Sequence, residues 1–317
     1  MSIQTVTPPA TGQTGGFPPF RLVKAELLKI WTTNTWWIFG ILYFATTALS
    51  LLLNIVIANE SLHQAQQRLD QQVPENLDQF PPEQRDDILR EIANRPSIHA
   101  VLVQQTANVF TSGQFFGLLF VVVLGCLIVT NEYFHQTATA TFLTTPHRSQ
   151  VILSKFVAGA GWGLVFWFLA TVVSIAVGSL YFSNTGREVL LTDPAVVRSI
   201  GFNLLAYVIW AILGISLGVL LRSQIGATLT ATLAYLFSFP IAIILFQLIR
   251  NFVIKDDSIF NLIVAVPGVA SMVMVSPDPL EIGTTKIVWW VGALVLVGYG
   301  VVGGVLGTLI TRKRDIS

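Results

Sequence analysis

Long apolar runs separated by short polar stretches set the pattern of this chain. Six runs reach the roughly 20 residues that an α-helix needs to cross a bilayer's hydrocarbon core. They are Trp36–Ala58, Val109–Thr130, Phe156–Phe182, Ser199–Leu221, Ile225–Ile249 and Ile287–Ile310. A seventh apolar run, Ile259–Val275, is shorter and is interrupted by Pro267-Gly268. Proline removes a backbone donor and glycine loosens a helix, so the pattern predicts a re-entrant or interfacial hairpin over residues 258–276. Phe20, Val23, Leu27 and Ile30 or Trp31 recur at helical steps, with Arg21, Lys24, Glu26 and Lys29 between them. That spacing predicts an amphipathic helix over 20–33, lying in the headgroup layer beside the interfacial tryptophans Trp31, Trp36 and Trp37.

The polar stretches fill in the remaining organisation. Residues 1–19 hold Pro, Gly, Thr and Gln without a charge and are expected to be disordered. They lack the basic start of a secretion signal, so the first apolar run is expected to remain as a span. Residues 59–104 are polar, with helical patterns at Ser61–Leu69 and Pro82–Asn94, and are expected to form an external helical segment between the first two spans. Residues 131–150 form a short polar loop after the second span, with Glu132 at its start and Arg148 and then Lys155 at its exit.

Composition agrees with the pattern. The chain of 317 residues is 53% hydrophobic and only 11% charged, against roughly a quarter charged in an average soluble domain. The fold class that follows is an all-α integral membrane protein with six transmembrane helices. Orientation comes from the bases. With both termini cytoplasmic, Lys and Arg divide nine to nine, but four of the outer ones lie in the long segment after the first span. Arg21, Lys24 and Lys29 before the first span, and Arg312, Lys313 and Arg314 after the last, place both termini in the cytoplasm. Equal placement of the two ends requires an even number of spans, which favours a hairpin for the seventh run.

Several functions are disfavoured. A net charge of +1 offers no basic face for nucleic acid. The single cysteine, Cys126, can make neither an internal disulfide nor a zinc site. No G-x-x-x-x-G-K-[ST], H-E-x-x-H or G-x-S-x-G motif occurs, so the chain is not expected to be an enzyme by itself, and no cofactor or metal is expected. No ionisable residue falls well inside any of the six runs, which weighs against a proton- or ion-coupled carrier. Small-residue pairs (Gly159 with Gly163, Gly214 with Gly218, Gly300 with Gly304, Gly303 with Gly307) mark close helix contacts, internal or between subunits.

Two segments carry a family resemblance. The first is Ala25-Glu26-Leu27-Leu28-Lys29 with Thr32-Thr33 and Trp36-Trp37. The second is Glu132-Tyr133, Thr137, Leu143, Pro146, Arg148 and Lys155. With the six spans and the Arg312-Lys313-Arg314-Asp315 tail, the chain resembles the permease subunit of a type-2 ATP-binding-cassette transporter. Two positions depart from that pattern: Phe134 stands where many relatives carry a base, and Gln136 where many carry Gly. The resemblance implies a permease that pairs with a second permease chain and is driven by separate ATPase subunits on the cytoplasmic side. It also implies the plasma membrane and the export of drugs, peptides, lipids or polysaccharides. Glu132, Tyr133, Thr137, Thr141, Pro146 and Arg148 would then form the ATPase-coupling loop, and Arg21, Lys24, Glu26 and Lys29 would belong to the family's interfacial entry helix. The rival readings are an ion-coupled carrier or channel and a non-transporting membrane scaffold or sensor.

Overall fold

The computed structural model describes residues 18–33, 35–70, 81, 84–85, 97–137, 141 and 148–313. The tail at 1–17, most of 71–96, Pro146 and Arg314–Ser317 lie outside the described residues, as do most of the expected disordered tail and most of the expected Pro82–Asn94 helix; Pro18 and Pro19, expected in the tail, instead open the first helix.

Helix α1, Pro18–Trp31, is followed after a short corner by α2, Thr35–Asp70. The Thr32 and Thr33 hydroxyls close α1 by donating to the carbonyls of Leu28 and Ile30 at 2.9 and 2.8 Å. At 36 residues, α2 is roughly 54 Å long, well beyond a hydrocarbon core. The sequence pattern predicts an end to the span at Ala58 and a separate helix from Ser61. The chain instead continues as one helix, because no proline or glycine stands between them.

The second span also differs from expectation. It is α3, Ile98–Phe110, then a break at Thr111–Gly113, then α4, Gln114–Phe134. The end of the segment assigned to the outside, residues 98–104, is therefore the start of this span's helical path, with Leu102 and Val103 buried. Ser97 caps α3 by accepting from the Ala100 N–H at 3.1 Å. At the break, the Thr111 and Ser112 hydroxyls turn back onto the carbonyls of Ala107 and Val109, each at 2.7 Å, which also accept the backbone N–H groups of Thr111 and Ser112 at 3.0 and 3.3 Å.

Helix α5, Arg148–Asn184, starts eight residues before the apolar run that marked it. Helix α6, Pro194–Leu221, opens on Asp193, which accepts from the Ala195 N–H at 2.8 Å, and closes with Arg222 in the left-handed region, φ 52°. Helix α7, Gln224–Ile249, runs through Pro240 and ends in a π-helical turn, Arg250–Ile254. A 3-10 helix, Asp257–Ala265, and α8, Pro267–Val275, then meet at 87°. Pro267 sits at the first position of α8, where its missing N–H costs nothing. A two-stranded hairpin, β1 Leu280–Ile282 and β2 Thr285–Ile287, leads into α9, Trp289–Lys313. Gly283, at φ 63°, supplies the turn.

Among the described residues, six of these elements, with α3 and α4 counted as one path, are long and apolar enough to cross a membrane. The protein is an all-α, multi-pass membrane protein. Contacts fix which ends lie together. The Arg312 Nε donates to Ser149 at 2.7 Å, and Lys155 is ion-paired to α1 and to Glu132, so α1, the end of α4, the start of α5 and the end of α9 share one end of the molecule. At the other end, Arg198 donates to the carbonyl of Pro277 and lies 5.3 Å from the Trp289 ring centre. The bent pair begins just after the end of α7 and is followed by Pro277 against Arg198, so both of its ends lie at that far end. Its α8 is wedged against α6 and α4: the Trp210 Nε1 donates to the Ser271 hydroxyl at 2.8 Å, and the Gln114 amide to the Ser271 carbonyl at 3.2 Å.

The path α3–α4 is the core, with 67% of its apolar window buried, against 17% for α7 and α9. Glycine lets α6 approach it closely. A methyl at Gly214 would lie 2.1 Å from the Val122 carbonyl oxygen, and one at Gly218 2.9 Å from that of Cys126. Gly159 and Gly163 face Ile215 and Tyr207, and Gly300, Gly303 and Gly307 face α6, so these small-residue contacts are internal. Buried tyrosines satisfy the polar groups inside. Tyr43 and Tyr207 share a hydrogen bond at 2.9 Å, and Tyr207 donates to the Gly113 carbonyl at the helix break at 2.8 Å. Outward-facing Ile41, Leu52, Leu53, Leu245 and Val301 are exposed, as lipid-facing side chains should be.

Candidate functional site

Four charged residues from three elements converge where α1 crosses the ends of α4 and α5. Glu26 and Lys29 come from α1, one turn apart. Glu132 comes from the last turn of α4 and Lys155 from the second turn of α5. Lys155 Nζ lies 2.8 Å from Glu26 Oε2 and 2.9 Å from Glu132 Oε1. Lys29 Nζ lies 2.7 Å from Glu26 Oε1 and 2.5 Å from Glu132 Oε1. A further contact of 3.5 Å to the Ile128 carbonyl uses the third donor of Lys155. The cluster is electrically neutral and closed.

Burial is uneven. The side chains of Lys155, Glu26 and Glu132 are only 4, 5 and 7% exposed, whereas that of Lys29 is 46% exposed. A buried ion pair contributes little net stability, but removing one partner strands a charge and costs about 3–5 kcal/mol. The four residues therefore hold α1 in one position on α4 and α5 rather than merely attracting it. Burial alone would depress the Lys29 pKa. The attraction of Glu132 and Glu26, with their hydrogen bonds, outweighs this and holds it above the ordinary lysine value.

Two expectations are corrected here. Glu26 was read on the polar face of the interfacial helix, but it is buried, with Arg21, Lys24 and Lys29 exposed around it. The sequence pattern puts Lys155 at the exit of the loop, ahead of the third apolar run. Because α5 begins at Arg148, Lys155 lies inside a helix and is buried. It is tolerated there because two carboxylates face it.

The other loop residues fall into place around the cluster. Tyr133 is half-buried among Val129, Ile152, Ile215 and Val219, and the Arg222 guanidinium lies 5.3 Å from its ring centre. Tyr133 thus touches the α6–α7 corner, a contact that nothing in the sequence spacing indicated. Thr137 is exposed, and its N–H donates to the Glu132 carbonyl at 2.9 Å while the Gln136 N–H reaches the Tyr133 carbonyl at 3.3 Å. These two bonds form a Schellman closure of α4. Thr141 donates back to the Thr137 carbonyl at 3.1 Å. Arg148 opens α5, but its side chain, like Pro146, lies outside the described residues. Phe134, 65% exposed, and His135 project past the cluster at the end of α4.

A cleft of about 290 Å³ opens beside the cluster. Leu124, Leu127 and Ile128 of α4 form its apolar wall, and Thr33, Asn131 and His135 are among its polar lining.

A family model matches residues 88–317. The chain belongs to the DUF2705 family, described as proteins of unknown function. The family match includes Glu132 and Lys155 but begins after α1, so half of the ion cluster lies outside the matched region. No curated protein matches this DUF2705 member.

Proposed function

We propose that this chain is the membrane permease subunit of an ATP-driven exporter, powered by separate ATPase subunits that dock at the end bearing the ion cluster. The observation that carries the reading is the closed four-charge cluster. It ties α1 to the ends of two spans beside a loop that presents Phe134 and His135 outward. A push on that loop is transmitted to α4, and through Tyr133 and Arg222 to the α6–α7 corner. The resemblance to type-2 ATP-binding-cassette permeases supplies the source of the push. On this reading the cluster end and both termini are cytoplasmic, the membrane is the plasma membrane, and a second permease chain completes the path. Coupling by Glu132 is indirect, because its carboxylate is occupied by two lysines within the chain.

An ion-coupled carrier draws on the same four charges. It is disfavoured because each carboxylate already faces both lysines, and releasing either charge would strand its partners.

The test is purification from native membranes in lipid nanodiscs, alone and with co-purifying partners. The chain alone is expected to hydrolyse no ATP, and the complex to hydrolyse it in proportion to an ATPase subunit. Turnover by the pure chain, or a complex without any ATPase, would overturn the proposal.

A further inference from the structure

A second, apolar groove lies between α1 and α5, on the side of α1 away from the ion cluster. Its volume is about 510 Å³, and its lining is Leu27, Leu28, Trp31, Gly161, Trp162 and Val165, with Lys24 as the one charged member. Leu28 and Trp31 are 49 and 56% exposed, so the groove opens outward from the helix bundle. Along α1, Arg21, Lys24, Leu28 and Trp31 follow at steps of three or four and form one stripe. The stripe is basic at the start of the helix and apolar at its end.

We propose that this groove seats one acyl chain of an anionic phospholipid, with the phosphate held by Lys24 and Arg21. The matching of chemistry is specific. Lys24 stands at one end of a channel whose remaining walls are hydrocarbon and indole, and Arg21 lies one turn before it on the same stripe of the helix. Trp31 stacks on Trp36 at 4.4 Å and lies 6.3 Å from Trp162, which fixes the groove's aromatic wall rather than leaving it to collapse. Gly161 lies in the floor of the groove. A methyl there would meet only the Leu27 Cδ2, at 3.9 Å. The space above Gly161 is thus open to an occupant and not needed for helix packing. A bound lipid would complete the apolar surface that α1 shares with α5, opposite the ion cluster that holds its other side. This inference rests on the membrane location alone and is independent of the transport reading.

The experiment uses the full chain in nanodiscs of phosphatidylcholine doped with dibrominated phosphatidylglycerol or, at the same mole fraction, dibrominated phosphatidylcholine. Bromine quenches tryptophan on contact, and Trp31 and Trp162 line the groove. The anionic probe is expected to quench more than the zwitterionic one, from an enrichment of roughly fivefold per basic residue engaged. Lys24→Glu should remove that excess by repelling the phosphate. Gly161→Leu should remove it by filling the seat, and the open space at this position lets the helix fold. Equal quenching by the two probes in the wild type would overturn the proposal. Loss of the excess in Lys24→Glu with full retention in Gly161→Leu would also overturn it, reducing the site to adsorption on a basic surface.

Discussion

At the residue scale, Lys155 decides the position of α1. Its ammonium reaches two carboxylates on different helices, and only 4% of its side chain is exposed. Lys29 makes the same two contacts from a side chain that is 46% exposed, so water can replace it. Lys155→Met is therefore expected to cost about 3–5 kcal/mol, and Lys29→Met much less. The double variant Glu26→Gln with Lys155→Met should be milder than the sum of its parts, because it removes charges of both signs. Thermal unfolding of the four proteins in one detergent measures this, and additive losses would contradict the cluster. The pH behaviour follows from Lys29, whose pKa is raised. Its contribution is fully present below the ordinary lysine value and fades only as pH rises through the higher folded value. None of this pairing was legible in the sequence. Glu26 and Lys155 are 129 positions apart, and Glu26 looked like part of a solvated face because helical periodicity records spacing and not what lies opposite.

At the element scale, the six apolar runs match the six membrane-length helical paths among the described residues but do not show where those helices begin, end or break. Hydropathy passes straight through the break at Thr111–Gly113, where the Thr111 and Ser112 hydroxyls add bonds to carbonyls that backbone N–H groups already hold and the buried Tyr207 donates to the Gly113 carbonyl. It also stopped α2 twelve residues early, since polarity after Ala58 marks the end of the hydrocarbon and not of the helix. The Pro267 break was legible because proline acts through its own covalent structure. The closure of α4 gives a further expectation. Gln136 occupies the left-handed position of a Schellman motif, at φ 54°, where a side chain is strained and glycine is not. Gln136→Gly is expected to stabilise the protein by about 1 kcal/mol. A lowered unfolding temperature in this variant would show that the Gln136 side chain makes a contact outweighing its strain.

For the whole molecule, two layers of contact separate holding from moving. The centre is α3–α4 against α6, backbone to backbone at Gly214 and Gly218. The end with the ion cluster is tied across α1, α4 and α5, and by Tyr133 to Arg222. The bent element and its hairpin cap the far end, pinned by Arg198 and by Asn261, whose Oδ1 accepts from Thr284 and Thr285 at 3.2 and 3.0 Å. This arrangement makes the topology testable with single cysteines in a Cys126→Ser background. Exposed Gln64 and Thr284 should label together with an impermeant reagent on intact cells, and Thr137 only after the membrane is opened. Labelling of Thr284 from the side of Thr137 would turn the bent element into a seventh span.

The central claim is that an ATPase engages the end of α4 just beyond the ion cluster. Phe134 is the large apolar side chain exposed there, and replacing it with the photoreactive p-benzoylphenylalanine preserves its shape. The most direct measurement is irradiation of cells expressing that variant, followed by mass spectrometry of whatever is joined to the chain. The expected product is a covalent adduct with a protein bearing a nucleotide-binding phosphate loop, weakened when Lys155→Met loosens the cluster. Adducts with lipid alone, or with proteins lacking such a loop, would contradict the account.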